Sequence, residues 1–270
     1  MMRNKIYGGL LMLLVVFISS CEKVIDINLN DAEKKYVVEA VVTDEPGSAQ
    51  VLISQTKNFS DDNQFTGVAG ATVTISDDDG NDHVLAESSA GVYQSADITG
   101  ESGKKYTLKV EVDGNVFTAS STMPAKVNMD SLYVADEFMF GEVRKLANVA
   151  FNDPAGLGQS YRFILYINGA KRNGVYIRND EYTDGNLTNI SLFAGGDNND
   201  DKGIKAGDIV RADMLCIDEA VYKYWYSFGT SGATGESNTA SPANPVTNIQ
   251  GGALGYFSAH TVQTKMVVAQ

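Results

Sequence analysis

The chain has 270 residues, 43% of them apolar and 20% charged, which implies one or two domains with a real core and excludes wholesale disorder. Asp plus Glu total 34 against 21 Lys plus Arg, a net charge of −13, which argues against broad electrostatic binding to nucleic acid. Two histidines and two cysteines leave too little for a zinc site, a disulfide framework or a histidine-centred catalytic machine.

The N-terminus reads as an address. Arg3 and Lys5 precede an unbroken apolar run, Leu10 to Ile18, which is shorter than the roughly 20 residues a spanning helix needs. With the small residues Ser19 and Ser20 after it, residues 1–20 are expected to be a secretory signal peptide. The ending Ile18-Ser19-Ser20-Cys21 resembles the lipobox of bacterial lipoproteins. That resemblance implies a diacylglyceryl group on the Cys21 thiol, cleavage before it and acylation of the freed amine. Several acyl chains anchor firmly where one is marginal. Cleavage also removes Arg3 and Lys5, so the mature chain is two charges more negative. Cys216 is then left without an intrachain partner and is expected to be a buried, small apolar residue. Residues 21–35 form the expected lipidated tether, whose fourteen residues beyond the cysteine, Glu22 to Lys35, reach at most about 46–50 Å. Its mixed charges (Asp26, Asp31 and Glu33 against Lys23, Lys34 and Lys35) loosely resemble a surface-export signal.

Strand signals fill the body. Tyr36 to Thr43 is β-branched and ends at the turn Asp44-Glu45-Pro46-Gly47. Gln50 to Thr56, Ala71 to Ser76 and His83 to Glu87 follow, with the hairpin pair Asp79-Gly80 before the last of these. Gly91 to Ser95 is short, Lys104 to Val112 alternates strictly, and Asp113-Gly114-Asn115 turns into Val116 to Ser120. Strands every 8–12 residues without helical period predict a β-sandwich over residues 36–124, bounded by Met123-Pro124-Ala125. Residues 125–270 are expected to form a second antiparallel β domain. Its predicted strands are Met129 to Val134, Asn148 to Asp153, Tyr161 to Ile167, Val175 to Arg178, Leu187 to Phe193, Ile209 to Ile217 and His260 to Val268. Asn168-Gly169 is a hairpin dipeptide.

One helix interrupts them. Asp218 caps a segment from Glu219 to Phe228 with Gly229 beyond its end. Val221, Tyr224, Trp225 and Phe228 share an apolar face, whereas Tyr222 and Tyr226 lie off it and are the expected contacts for a ligand or partner. The fold class is therefore all-β, two β units with one short helix near residues 218–228.

Residues Val68 to Ile75, Gly91-Val92-Tyr93 and Tyr106 to Val110 resemble the immunoglobulin-like and transthyretin-like modules of carboxypeptidase regulatory domains, which display other parts and carry no chemistry. Further motifs follow in fixed order: the lipobox with Val24-Ile25-Asp26-Ile27, Tyr222-Lys223-Tyr224-Trp225, Asn244-Pro245 with Asn248-Ile249, and the closing Gly251 to Phe257. Together they resemble a family of Bacteroidota outer-membrane lipoproteins classed as a domain of unknown function. Its members often accompany TonB-dependent transporters. The resemblance implies a non-enzymatic accessory subunit that captures or gates cargo for such a barrel. It would be lipid-anchored in the outer membrane, face the cell exterior and use no cofactor beyond the lipid on Cys21. A structural envelope-assembly or adhesion role without a small ligand is the alternative. The family supplies no catalytic residue, and none is expected here.

Gly251, Gly252 and Gly255 are expected to supply unusual backbone torsions that place Tyr256 and Phe257, as packing residues or partner contacts. The run Asp77 to Asp82 fails the EF-hand spacing and reads as a hairpin turn. Asp197, Asp200 and Asp201, in a second acidic loop that fails the same test but is denser in oxygens, are the weak calcium candidates. His83 and His260 lie in different units and are expected at exposed or core-edge positions.

Overall fold

The structure, a computed structural model, describes residues 33–57, 64–139, 141–194, 203–231 and 243–270. Backbone contacts divide the chain into two units, and nearly all described residues belong to the one made of Lys34–Thr56 and Asn63–Gln270. That unit is mostly β, with large antiparallel sheets and one short helix among the described residues.

The first half supplies β1 (Tyr36–Thr43), β2 (Ala49–Gln55), β3 (Thr72–Asp77), β4 (Asp82–Ser89), β5 (Val92–Ser95), β6 (Lys105–Val112) and β7 (Asn115–Thr122). Their order across the sheet is β1-β2-β5-β4-β3-β6-β7. β4 changes partner along its length: Asp82 to Leu85 pair with β3, and Ala86 to Ser89 with β5. The sheet therefore folds over on itself and encloses one core. Alternation decides which side chains enter it. In β6, Tyr106, Leu108, Val110 and Val112 are buried while the residues between them are exposed. Val38, Ala40, Val51, Ile53, Val73, Ile75 and Phe117 join them, each large side chain contributing about 1.5–3 kcal/mol by burial.

The second half supplies β8 (Met129–Met139), β9 (Glu142–Asn152), β10 (Ser160–Ile167), β11 (Ala170–Lys171), β12 (Tyr176–Asn179), β13 (Leu187–Leu192) and β14 (Ile209–Ile217). β13, β9 and β8 form a separate three-stranded sheet, while β10 and β14, with β11 and β12 at the edge, continue the large one. Between these sheets lies a second core of Val149, Phe151, Tyr161, Phe163, Leu165, Leu192, Val210 and Met214. Cys216 is buried in it as a free thiol, and burial pushes its pKa up.

The last strand, β15 (Leu254–Val268), belongs to both halves. Leu254 to His260 pair in parallel with β1, and Thr261 to Val268 pair antiparallel with β14. Phe257 and Ala259, together with Ile249 and Ala253, complete the first core, while Val267 packs against the second. Residues 36–124 thus do not close their core alone.

The predicted turns form as their chemistry requires. Asp113-Gly114 and Asn168-Gly169 both take positive φ at both positions, the geometry of the two-residue hairpin turn. Around Gly80, the Asp77 carboxylate accepts hydrogen bonds from the Asp79 and Asn81 amides and from Asn81 Nδ2. Asp79 pairs with Lys104 at 2.8 Å, so these acidic groups are engaged by the protein's own donors, as a hairpin turn requires.

Several boundaries differ from expectation, among them the end of β8, which runs on to Met139 rather than stopping at Val134. β9 starts at Glu142 rather than Asn148, because the distal part of the β8–β9 hairpin is held by charged pairs such as Lys145–Asp136 and lacks the apolar alternation that marks a strand. The helix runs two residues past Phe228, as described below. β15 starts at Leu254 rather than His260, because its glycine serves a close approach and not a turn. Gly255 has φ +98°, and a Cβ there would press into the Val38 carbonyl oxygen of β1. Gly252 has φ +92° but faces open space.

Gly255→Ala should therefore cost about 2–4 kcal/mol, from strain plus overpacking, against about 1 kcal/mol for Gly252→Ala. Urea unfolding of both variants tests this; equal losses would show that the β1–β15 approach is not tight.

Candidate functional site

On the face of β10, β14 and β15 that points away from the second core lies α1 (Glu219–Thr230). Its N-terminus is fixed by Asp218, whose carboxylate accepts from the Val221 amide at 2.9 Å. The other carboxylate oxygen accepts from Ser121 Oγ and the Thr122 amide of β7. Ser121 Oγ in turn accepts from the Ala259 amide of β15. One side chain thus caps the helix and ties it to strands of both halves. The C-terminal turn extends through Gly229 because Ser227 and Thr230 donate their hydroxyls to carbonyls one turn back, and a Cβ at Gly229 would only touch Val175.

The expected apolar face of α1 is the face that packs. Val221 and Tyr224 are buried, and Val221 joins Leu215 and Ile217 of β14, with Ile164, Trp225, Tyr256 and Val262 packed against them. Ring centroids lie 4.7 Å apart for Tyr224–Tyr256, 5.2 Å for Trp225–Tyr256 and 5.3 Å for Tyr224–Trp225. Such spacings suit the tilted and edge-to-face contacts that aromatic rings favour.

Into this aromatic group projects Arg162 of β10. Its guanidinium carbon lies 3.4 Å from the centroid of the Trp225 ring, a cation–π contact. Burial lowers its pKa, an effect opposed by the neighbouring Tyr256, Tyr166 and Tyr224. Burial also raises the pKa of Tyr256 and of Tyr224. Lys171 of β11, opposite Tyr166 in the β10–β11 pair, has its pKa lowered by burial and by the like charge of Arg162, while Glu39 opposes the shift. Glu39 lies on β1 opposite Tyr256. The Trp225 indole N–H is buried without an acceptor.

Of the contacts expected from sequence, Tyr222 and Tyr226 form a stacked pair 6.1 Å apart on α1; Tyr226 is 56% exposed, and Tyr222 is half-buried beside Arg178 and Glu181. Tyr256 enters the arginine cluster. Phe257, its neighbour on the strand, points the other way and is wholly buried in the first core, so it packs and does not reach a ligand. Cys21 and the acidic residues Asp197, Asp200 and Asp201 lie outside the described residues.

Arg162, Lys171, Glu39 and Tyr166 had no motif to announce them. The available signal was a cation inside the otherwise apolar run Tyr161 to Ile167, at a position whose strand neighbours are core. His260 also departs from expectation: it is buried on β15, its Nδ1 2.8 Å from Ser258 Oγ. Burial foremost, and then the Arg162 charge, hold its pKa down at about 4, with Ser258 and Asp44 opposing.

The model of a family described as Domain of unknown function (DUF4249) matches residues 22–266, and the chain belongs to that family. No curated protein matches the chain.

Because His260 is neutral in the fold down to about pH 4 but titrates near 6.5 when unfolded, the unfolded state binds the extra proton between those values. Its contribution is complete above pH 6.5 and falls away as pH drops towards 4, by about 3 kcal/mol in all. Urea unfolding across that window should show a shallower loss for His260→Gln than for the wild type; identical slopes would remove His260 from the acid sensitivity.

Proposed function

We propose that this member of the family is a Bacteroidota outer-membrane lipoprotein, anchored through Cys21 and facing the cell exterior. It acts as a non-enzymatic accessory subunit that captures or gates cargo for a TonB-dependent transporter. The lipid anchor is supported by the signal-like run ending at Cys21 and by a family match that begins at residue 22. The transporter is what the family resemblance implies.

The observation that carries the capture role is the cluster on the outer sheet face. There α1 sets aromatic rings around a cation, and Tyr226, stacked on the half-buried Tyr222, faces solvent. Aromatic surface with a few convergent polar groups is the usual composition of a small-molecule site. A rigid β framework holds it, because α1 is tied by Asp218 to β7 and, through Ser121, to β15. In this reading residues 36–124 are the Ig-like or transthyretin-like module that displays the site and has no chemistry of its own.

The lipidated protein, purified from its native outer membrane in mild detergent, should bring a stoichiometric TonB-dependent barrel with it, and Cys21→Ala should leave the membrane fraction. A protein that emerges alone under detergent conditions known to preserve such complexes would overturn the accessory role.

A further inference from the structure

We propose that Arg162 and Lys171 form the binding centre for a small organic monocarboxylate, enclosed by the aromatic rings of α1 and β15. This deepens the capture reading, on which it rests only for the claim that the ligand is cargo.

The cluster is rich in donors and poor in acceptors. Arg162 remains charged in any protein environment, and a partly buried charge is costly without a counter-ion. Among the described residues no carboxylate forms an ion pair or hydrogen bond with it. The cation–π contact with Trp225 covers one face of the guanidinium and the Tyr256 hydroxyl accepts from it, which leaves further in-plane N–H donors, the ones that grip a carboxylate.

Lys171 pairs across the strands with Tyr166, which shares its face of β10 with Arg162, so a second positive charge sits on that face, and the charge of Arg162 depresses its pKa. Its side chain lies at the exposed edge formed by β11, which gives an anion a way in. Glu39 is the acid that acts on Lys171, Tyr224 and Tyr256. Arg211, 4.5 Å from the centroid of the Tyr166 ring, is neutralised by Asp213 at 2.7 Å, so Arg162 and Lys171 against Glu39 leave an excess of one positive charge, which matches a monoanion better than a doubly charged phosphate. The buried Trp225 N–H without an acceptor is a further donor in the same cluster. The rings of Tyr224, Trp225 and Tyr256 offer apolar and CH–π surface to the carbon body of the ligand.

Trp225 is the chain's single tryptophan, so its fluorescence reports on this cluster directly. The full-length protein in mild detergent is titrated with glucuronate, butyrate, glucose and inorganic phosphate. The expected result is a saturable change with at least one carboxylate at millimolar concentration and none with glucose. Lys171→Ala, at an exposed edge, should weaken that binding about tenfold, the loss of one charge-assisted contact. Arg162→Gln should abolish it in a protein shown by its unfolding transition to be folded. No saturable response to either carboxylate overturns the proposal, as does an affinity unchanged by Lys171→Ala. A response to phosphate alone, or an equal response to glucose, overturns the assignment of a carboxylate. Binding by a protein that brings no barrel from the membrane leaves the site standing and removes the transporter; a barrel with no binding removes the site alone.

Discussion

The structure depends on one strand that changes partner halfway. From Leu254 to His260 it runs parallel to Tyr36–Thr43, and from Thr261 it runs antiparallel to Ile209–Ile217. Parallel neighbours need a long connection, and here the connection is almost the whole chain. The pairing can form only when the first and last segments of the fold are both in place. Its tightest point is Gly255, which lets the backbone approach Val38 where no side chain would fit. At the handover His260 is buried without charge beside Ser258. The same strand closes the first core with Phe257 and Ala259 and contacts the second through Val267.

The site on the outer face inherits its geometry from that strand. Alternation along β15 sends Phe257 inward and Tyr256 outward, where Tyr256 meets Tyr224 and Trp225 of α1. Arg162 arrives from β10 by the same rule, since Tyr161 and Phe163 on either side of it belong to the second core. Three elements far apart in sequence therefore converge on one guanidinium. The helix cannot drift from them, because Asp218 holds its first turn and β7 at once. Packing, capping and charge all restrict the same few residues, which is the condition for a preorganised site.

Much of the local structure was legible in the sequence. Strict alternation marked β6, an apolar β-branched run marked β10, and the dipeptides Asp113-Gly114 and Asn168-Gly169 marked their turns through the torsions they tolerate. Asp218 followed by an i, i+3, i+4, i+7 apolar face marked the helix and its buried side. What periodicity does not carry is pairing. The parallel partnership of β1 and β15 lies between residues more than 200 positions apart, and no local pattern encodes it. Composition also misled at Gly251 to Gly255, where a run typical of turns contains the start of a strand, because glycine serves close backbone approach as readily as reversal. The charged distal part of the β8–β9 hairpin hid for the converse reason: it is a strand pair with no core face to reveal it. Arg162 was hidden as a single cation in an apolar run, a position that acquires meaning only when Trp225 is folded over it.

The central claim is that the shared strand makes the two halves one cooperative unit. It is tested most directly by following urea unfolding with two probes in the same sample. Trp225 fluorescence reports the second half, and amide hydrogen exchange at Val73, Ile75 and Val110 reports the first. The account predicts coincident transitions, with those amides protected up to the same free energy that Trp225 reports. A first half that exchanges or unfolds at a distinctly different urea concentration, with the Trp225 signal unchanged, would contradict it.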